Sequence, residues 1–236
     1  MPVSAVTAVL VHSPYLGPAS LRPLADALAA LGHPTVVLDL LPSVAAAPVH
    51  QRLIGAFADA LSDAALTGPI ALVGHGAAGP QLPAFAEELE DDVRCLLYLD
   101  ADLPTPGRSW REIHPKAYAE LRGRGRDNLL PRWPKWSDTD PLDAIADADL
   151  RAEIAEEAPE VPLVFLKEDR PSVLWTGAAG YVQLSAEHAA DAEAARGLGW
   201  PVRGADLHHL AVATDAEPVA TLVLEVLLGS LAATGG

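Results

Sequence analysis

The chain has a single cysteine and a single methionine among 236 residues, few aromatic side chains, and half as many Lys and Arg as Asp and Glu. A lone Cys95 excludes an internal disulfide and fits a reducing, cytoplasmic setting. The formal net charge of -16 argues against nucleic acid or an anionic membrane as a partner, because bulk electrostatics would repel both. The start, "MPVSAVTAVLVHSP", has no basic leader, and its apolar run is too short to span a bilayer, so neither a signal peptide nor a membrane anchor is expected. The partner left by these absences is a small molecule, with a second copy of the chain also permitted. Nothing in the sequence calls for a cofactor.

What is present is apolar residue in bulk, half of the chain, enough for one well-buried domain over residues 1–236. Apolar, β-branched runs at 6–12, 35–40, 70–74 and 93–100 alternate with helical patterns at 19–31, 49–66 and 79–90. Further on, 161–166 and 181–185 both read as strands, 201–204 as a short last strand, and 186–198 and 217–231 as helices. This alternation predicts an α/β fold with a mostly parallel six-stranded sheet and crossover helices on both faces. The pattern breaks down over 103–159, where turn signals cluster, and that segment is expected to be a helical lid inserted after the fourth strand. Residues 108–135 of it carry eight basic residues against three acidic ones, in a chain that is otherwise acidic. They form either a solvated insert that pairs with the acidic body or a basic lid that draws in an acidic substrate or carrier.

The most informative stretch is "IALVGHGAAGP", where a strand-like run enters three glycines spaced G-x-G-x-x-G at Gly74, Gly76 and Gly79. Taken literally, it is the dinucleotide fingerprint, with Asp100 about 20 residues on to meet a ribose hydroxyl. That fingerprint belongs to the first βα unit, however, and here two units precede it. It also leaves two other segments unexplained, "VLVHSPYLGPAS" near the start and "HHLAVATDAEPVATLV" near the end.

Those three segments together resemble the α/β-hydrolase superfamily, in its compact branch of hydroxynitrile lyases and plant-type methylesterases. "VLVHSPYLGPAS" is similar to the strand and oxyanion loop, "LVGHGAAGP" to the GxSxG nucleophile turn with Gly76 in the place of serine, and "HHLAVATDAEP" to the histidine loop. "YLDADLPTPG" resembles the element that opens the lid. The register of Asp215 and Glu217 makes His209, not His208, the counterpart of the catalytic histidine.

The resemblance implies catalysis of a changed kind. Glycine adopts the strained dihedrals of the turn without a Cβ penalty, so the bend survives and leaves open space beside His209. Losing the nucleophile of a triad costs on the order of 10⁶ in rate, so ordinary acyl-enzyme hydrolysis is the wrong mechanism. What remains is His209 as general base or acid and the Ala77 N–H as an oxyanion donor. Such a site suits cyclisation, lyase or isomerase chemistry, or hydrolysis by water, on a small apolar metabolite. The alternatives are a serine hydrolase inactivated at position 76, or a ligand- or partner-binding pseudoenzyme.

Around these two groups the sequence leaves choices open. Pro14 follows Ser13 and has no N–H to give, so Ser13 or Tyr15 must supply a second donor, although Ser13 alternatively only caps its turn. For the carboxylate that orients His209 the candidates are Asp100 or Asp102 after the fourth strand, Glu187 after 181–185, and Glu168 or Asp169 after 161–166. Asp100 is preferred, because its strand end is the most securely placed. Trp133 and Trp136 in the lid are expected to meet an apolar or aromatic ligand. His12, His114, His188 and His208 show no spacing that suggests a metal site.

Overall fold

The computed structural model describes residues 6–234 apart from 65, 67 and 90–92. Six strands, β1 (Thr7–Val11), β2 (Thr35–Leu38), β3 (Ile70–His75), β4 (Val93–Leu99), β5 (Ala178–Gln183) and β6 (Val202–Gly204), form one sheet in the order β2-β1-β3-β4-β5-β6. Every neighbouring pair runs parallel. Its helices are α1 (Arg22–Ala30), α2 (Val49–Asp63), α3 (Leu82–Glu87), α4 (Trp110–Ile113), α5 (Pro115–Arg124), α6 (Ala148–Glu157), α7 (Ala189–Gly197), α8 (Ala211–Thr214) and α9 (Ala216–Thr234).

Successive side chains of a strand point to opposite faces, and here both faces are covered. Leu10, Val73, Leu97 and Val182 pack with Leu24 and Leu28 of α1 and Val219 and Val223 of α9. Val9, Leu72, Leu96 and Tyr98 pack on the other side with Phe57 of α2 and Phe85 of α3. Burial on both sides explains why the strands read as continuous apolar runs rather than alternating ones. The stretch Ala216–Ala233 of α9 is long and apolar enough to cross a bilayer, but Val219, Val223 and Val226 are buried against the sheet.

The segment between β4 and β5 lies over the carboxyl ends of the strands, where open α/β sheets bind ligands. It holds α4, α5 and α6 and is longer than expected, because 161–166 is not a strand. Leu163–Lys167 forms a 3-10 turn instead, tied to the lid by the Leu163 N–H donating to the Asn128 carbonyl at 2.8 Å. A short apolar run cannot distinguish a buried turn from a strand, and Phe165 and Leu166 are buried under the lid. The lid docks through Leu142, Ile145, Ile154 and Ala158, which pack on Leu16 and Ala19 after β1 and on Leu210 and Ala213 near the C-terminus. Among the described ion pairs of its basic stretch, Arg124–Asp138 (3.0 Å) and Lys135–Asp140 (3.5 Å) stay within the lid rather than reaching the acidic body.

The helix expected over 79–90 is shorter and divided. A 3-10 turn over Gly76–Gln81 precedes α3, with Pro80 and Pro83 near the junction, and residue 90 lies outside the described residues. Gly79 allows this turn to lie on the end of β4, because a Cβ there would collide with the Asp102 carbonyl and stand 3.0 Å from the Ala101 Cβ.

Candidate active site

Four loops at the carboxyl ends of β1, β3, β4 and β5 converge with the loop that precedes α8. The β3 loop begins with Gly76 at a φ of 58°, in the left-handed region that glycine enters freely. A Cβ on Gly76 would stand 3.0 Å from His209 Nε2, 3.1 Å from His209 Cε1 and 3.7 Å from Ser13 Cβ. These first two distances are shorter than the roughly 3.5 Å at which non-bonded carbon atoms attract best. The imidazole therefore stands against the turn, and the space beside it is smaller than the sequence suggested.

His209 is held from the other side by Asp100. The Nδ1–H of His209 donates to Asp100 Oδ2 at 2.8 Å, which fixes the tautomer and leaves the Nε2 lone pair facing Gly76. Asp100 is fully buried, and its carboxylate also accepts from Leu184 N–H, Ser185 N–H and Ser185 Oγ–H, each at 2.8 Å. Burial alone would raise its pKa. The bonds from His209 and Ser185 outweigh burial and hold the carboxyl well below the usual carboxylate range. Asp100 also has a φ of 43°, an uncommon conformation for a residue with a Cβ, of the kind found at functional sites.

Two of the rival carboxylates, Glu168 and Asp102, have other partners. Glu168 accepts from the N–H groups of Val49 (2.9 Å) and His50 (3.0 Å) and so caps α2. Asp102 pairs with Arg170 Nη2 at 2.6 Å, and Glu187 lines the outer cavity. The position after β5 contributes the Ser185 hydroxyl rather than a carboxylate, because β4 and β5 are neighbours and their ends meet. The Tyr15 N–H donates to Ser13 Oγ at 3.3 Å, so Ser13 does cap its turn while its hydroxyl proton remains to be donated. Ala77 adjoins Gly76 in the turn and lines a small inner chamber behind it.

Two histidines, His75 and His188, flank His209 in ways the sequence did not disclose. His75 stacks on His209 with ring centres 4.2 Å apart, and its Nε2–H donates to the His209 carbonyl at 3.0 Å. Burial, and then the nearby His209, push its pKa well down. On the other side His188 lies 5.6 Å from the His209 ring and bonds Asp191 at 3.2 Å. Burial opposes its charge, but Asp191, Asp100 and Asp102 together raise its pKa. His12 is structural, with Nδ1–H donating to the Ser13 carbonyl and Nε2 accepting from Leu40 N–H. Sequence spacing suggested no metal set, yet the fold brings potential donors of Asp100, His188 and His209, or of Asp102, His188 and Asp191, within 4.8 Å of one another. The hydrogen bonds already described occupy several of those donors.

Above His209 opens a cavity of about 710 Å³ whose walls include Trp110, Trp133, Trp136, Ser185 and Glu187. Trp133 leans on His209 at 5.9 Å between ring centres, while Trp136 packs against Tyr15 at 4.6 Å. The three tryptophans share the lining with Glu120, Asp140 and Asp143.

No protein-family model matches the chain, and no curated protein is matched by its sequence. Solved structures are. An extracellular α/β-hydrolase from a Paenibacillus species superposes with a TM-score of 0.72 at 18% identity, covering 94% of this chain and 98% of that one. Polyneuridine aldehyde esterase gives 0.69 at 18% identity, over 95% and 100% of the two chains. A histidine-to-alanine variant of tomato methylketone synthase I complexed with beta-ketoheptanoate gives 0.66 at 15% identity, over 94% and 98%. Sheet order, lid position and these superpositions agree that the chain has the α/β-hydrolase fold.

Proposed function

We propose that this chain is an acid/base enzyme that works without a covalent serine intermediate. One observation carries the reading: the free lone pair of His209 faces Gly76, where the resembled family has its serine and this chain has no side chain. His209 Nε2 removes a proton from the carbon beside a substrate carbonyl, and the electron pair moves onto the carbonyl oxygen. The resulting enolate is stabilised by the Ala77 N–H and the Ser13 hydroxyl. Asp100 orients the ring and balances the imidazolium that forms. The fate of the enolate sets the reaction class: expulsion of a β-substituent gives a lyase, attack on an internal electrophile a cyclase, and reprotonation elsewhere an isomerase. Trp133 and Trp136 favour a substrate with an apolar or aromatic body. That similar folds are named for an esterase and for a methylketone synthase is consistent with more than one chemistry at such a site. Incubation with a fluorophosphonate is expected to leave the intact mass unchanged, and a stoichiometric serine adduct would contradict the reading.

The intact Asp100–His209 pair also favours a second reading, a serine hydrolase that has lost its nucleophile at position 76. Gly76→Ser separates the two. A side chain at the positive φ costs about 1–2 kcal/mol, and its Cβ would press on His209 at 3.0 Å. Under the proposal the variant melts lower and hydrolyses p-nitrophenyl esters at the background rate. Strong new esterase activity would favour the second reading.

A further inference from the structure

Behind the turn lies a second, much smaller chamber of about 20 Å³, lined by Tyr15, His50, Ala77, Gln81 and Arg170 among others. Trp110 lines both this chamber and the large outer cavity, and Tyr15, inside, is in ring contact with Trp136, outside. The chamber therefore adjoins the same site. Its walls contain polar atoms that the fold does not satisfy: Gln81 Oε1 and His50 Nδ1 are buried without a hydrogen-bond partner, on residues 2% and 8% exposed. An orphaned buried acceptor costs about 1–3 kcal/mol, which makes an unused pair beside the turn a sign of a ligand.

We propose that this chamber is a substrate subsite that takes a single neutral hydroxyl group, next to the carbonyl held at Ala77. Size limits the occupant, because 20 Å³ admits about one oxygen-sized atom and not the two oxygens of a carboxylate. Charge limits it as well. The one guanidinium there, Arg170, is bound to Asp102 at 2.6 Å and to the Thr105 hydroxyl at 2.9 Å, and the Glu168 carboxylate lies at the base of α2 beside His50. Two carboxylates against one cation repel an added anion. Tyr15 keeps its proton, since burial pushes its pKa up, and burial together with Arg170 brings His50 down to about 4, so both are neutral at pH 7. A hydroxyl matches this wall, donating to Gln81 Oε1 while accepting from a neighbouring N–H or O–H. With the apolar body in the outer cavity, the ligand is a β-hydroxy carbonyl compound with an aromatic or alkyl end.

The assignment rests on the carbonyl position proposed above, so binding is measured apart from chemistry. Three probes suffice: 3-hydroxy-1-phenylpropan-1-one, propiophenone, which lacks the hydroxyl, and benzoylacetate, which has a carboxylate in place of the CH2OH group. Calorimetry on the His209→Asn chain, which does not remove the α-proton and so does not expel the hydroxyl, is expected to show the hydroxy ketone binding about tenfold or more tighter than either of the others, the value of one satisfied buried hydrogen bond. In Gln81→Leu that preference is expected to collapse while the melting temperature stays level or rises. That variant removes an unsatisfied acceptor, and among the described residues the only side-chain bond it loses is the long one of 3.4 Å from Gln81 Nε2 to the Ala77 carbonyl. Equal binding of the hydroxy ketone and propiophenone, no detectable binding of the hydroxy ketone, tightest binding of benzoylacetate, or a preference that survives Gln81→Leu would each overturn the assignment. Equal binding of the two ketones while Gln81 is intact, with α-proton exchange present, would remove only this subsite, whereas a preference without exchange would remove only the catalytic reading.

Discussion

Asp100→Ala is expected to lower the unfolding free energy by about 3–5 kcal/mol, as happens when one partner of a buried charged pair is removed. Its carboxylate receives Leu184 N–H, Ser185 N–H, Ser185 Oγ–H and His209 Nδ1–H at a fully buried position, and alanine leaves all four donors facing nothing. Denaturant midpoints at pH 7 measure the loss, and a change below about 1 kcal/mol would mean that the network contributes little. Acid titration carries a second signature. The folded-state pKa of Asp100 is depressed, so the unfolded chain takes up a proton near pH 4 while the folded chain does not. Its stabilisation is present above that pH and lost as pH falls through the folded value. In Asp100→Ala this most acidic part of the curve flattens. Buried His50 and His75, both depressed, already cause stability to fall from about pH 6.5 downward in either protein, while His188, raised, opposes them.

His209→Asn is expected to slow proton transfer about 10²- to 10⁴-fold, equal to roughly 3–5 kcal/mol of barrier. The contribution is large because the ring is already ordered by Asp100 at 2.8 Å, by the His75 face and by Trp133, so little reorganisation precedes the step. Folding stability is expected to change much less than in Asp100→Ala. Asp100 keeps its three donors from Leu184 and Ser185, and the His209 side chain is 17% exposed where that of Asp100 is 0%. A rate loss with a nearly unchanged melting temperature would distinguish a chemical role from a structural one.

The strands that hold the site were legible because they are buried on both faces. β1, β3 and β4 stand out as apolar runs, and a site residue follows each within two positions: Ser13, Gly76 and Asp100. Gly76 and His209 could be singled out because the turn and the histidine loop are short contiguous segments in which the resemblance to the α/β-hydrolases shows. The choice among Asp100, Asp102, Glu168 and Glu187 could not be settled from spacing, because it depends on which strand ends are neighbours. The order β4-β5 brings Ser185 to Asp100 across 85 residues of chain and completes that carboxylate's shell. The same long range hid His188 beside His209, and the meeting of His50, Gln81 and Arg170 around one chamber. At 161–166 a short apolar run without alternation carried no information on whether it was extended or turned.

The account turns on His209 moving a proton beside a carbonyl without a covalent intermediate. Deuterium uptake at the α-carbon of propiophenone in D2O, followed by proton NMR, measures that step alone and needs no knowledge of the natural substrate. The account predicts uptake well above the buffer rate, unaffected by fluorophosphonate and reduced about 100-fold or more in His209→Asn. Uptake at the buffer rate, or equal uptake by the wild-type and His209→Asn proteins, would contradict it.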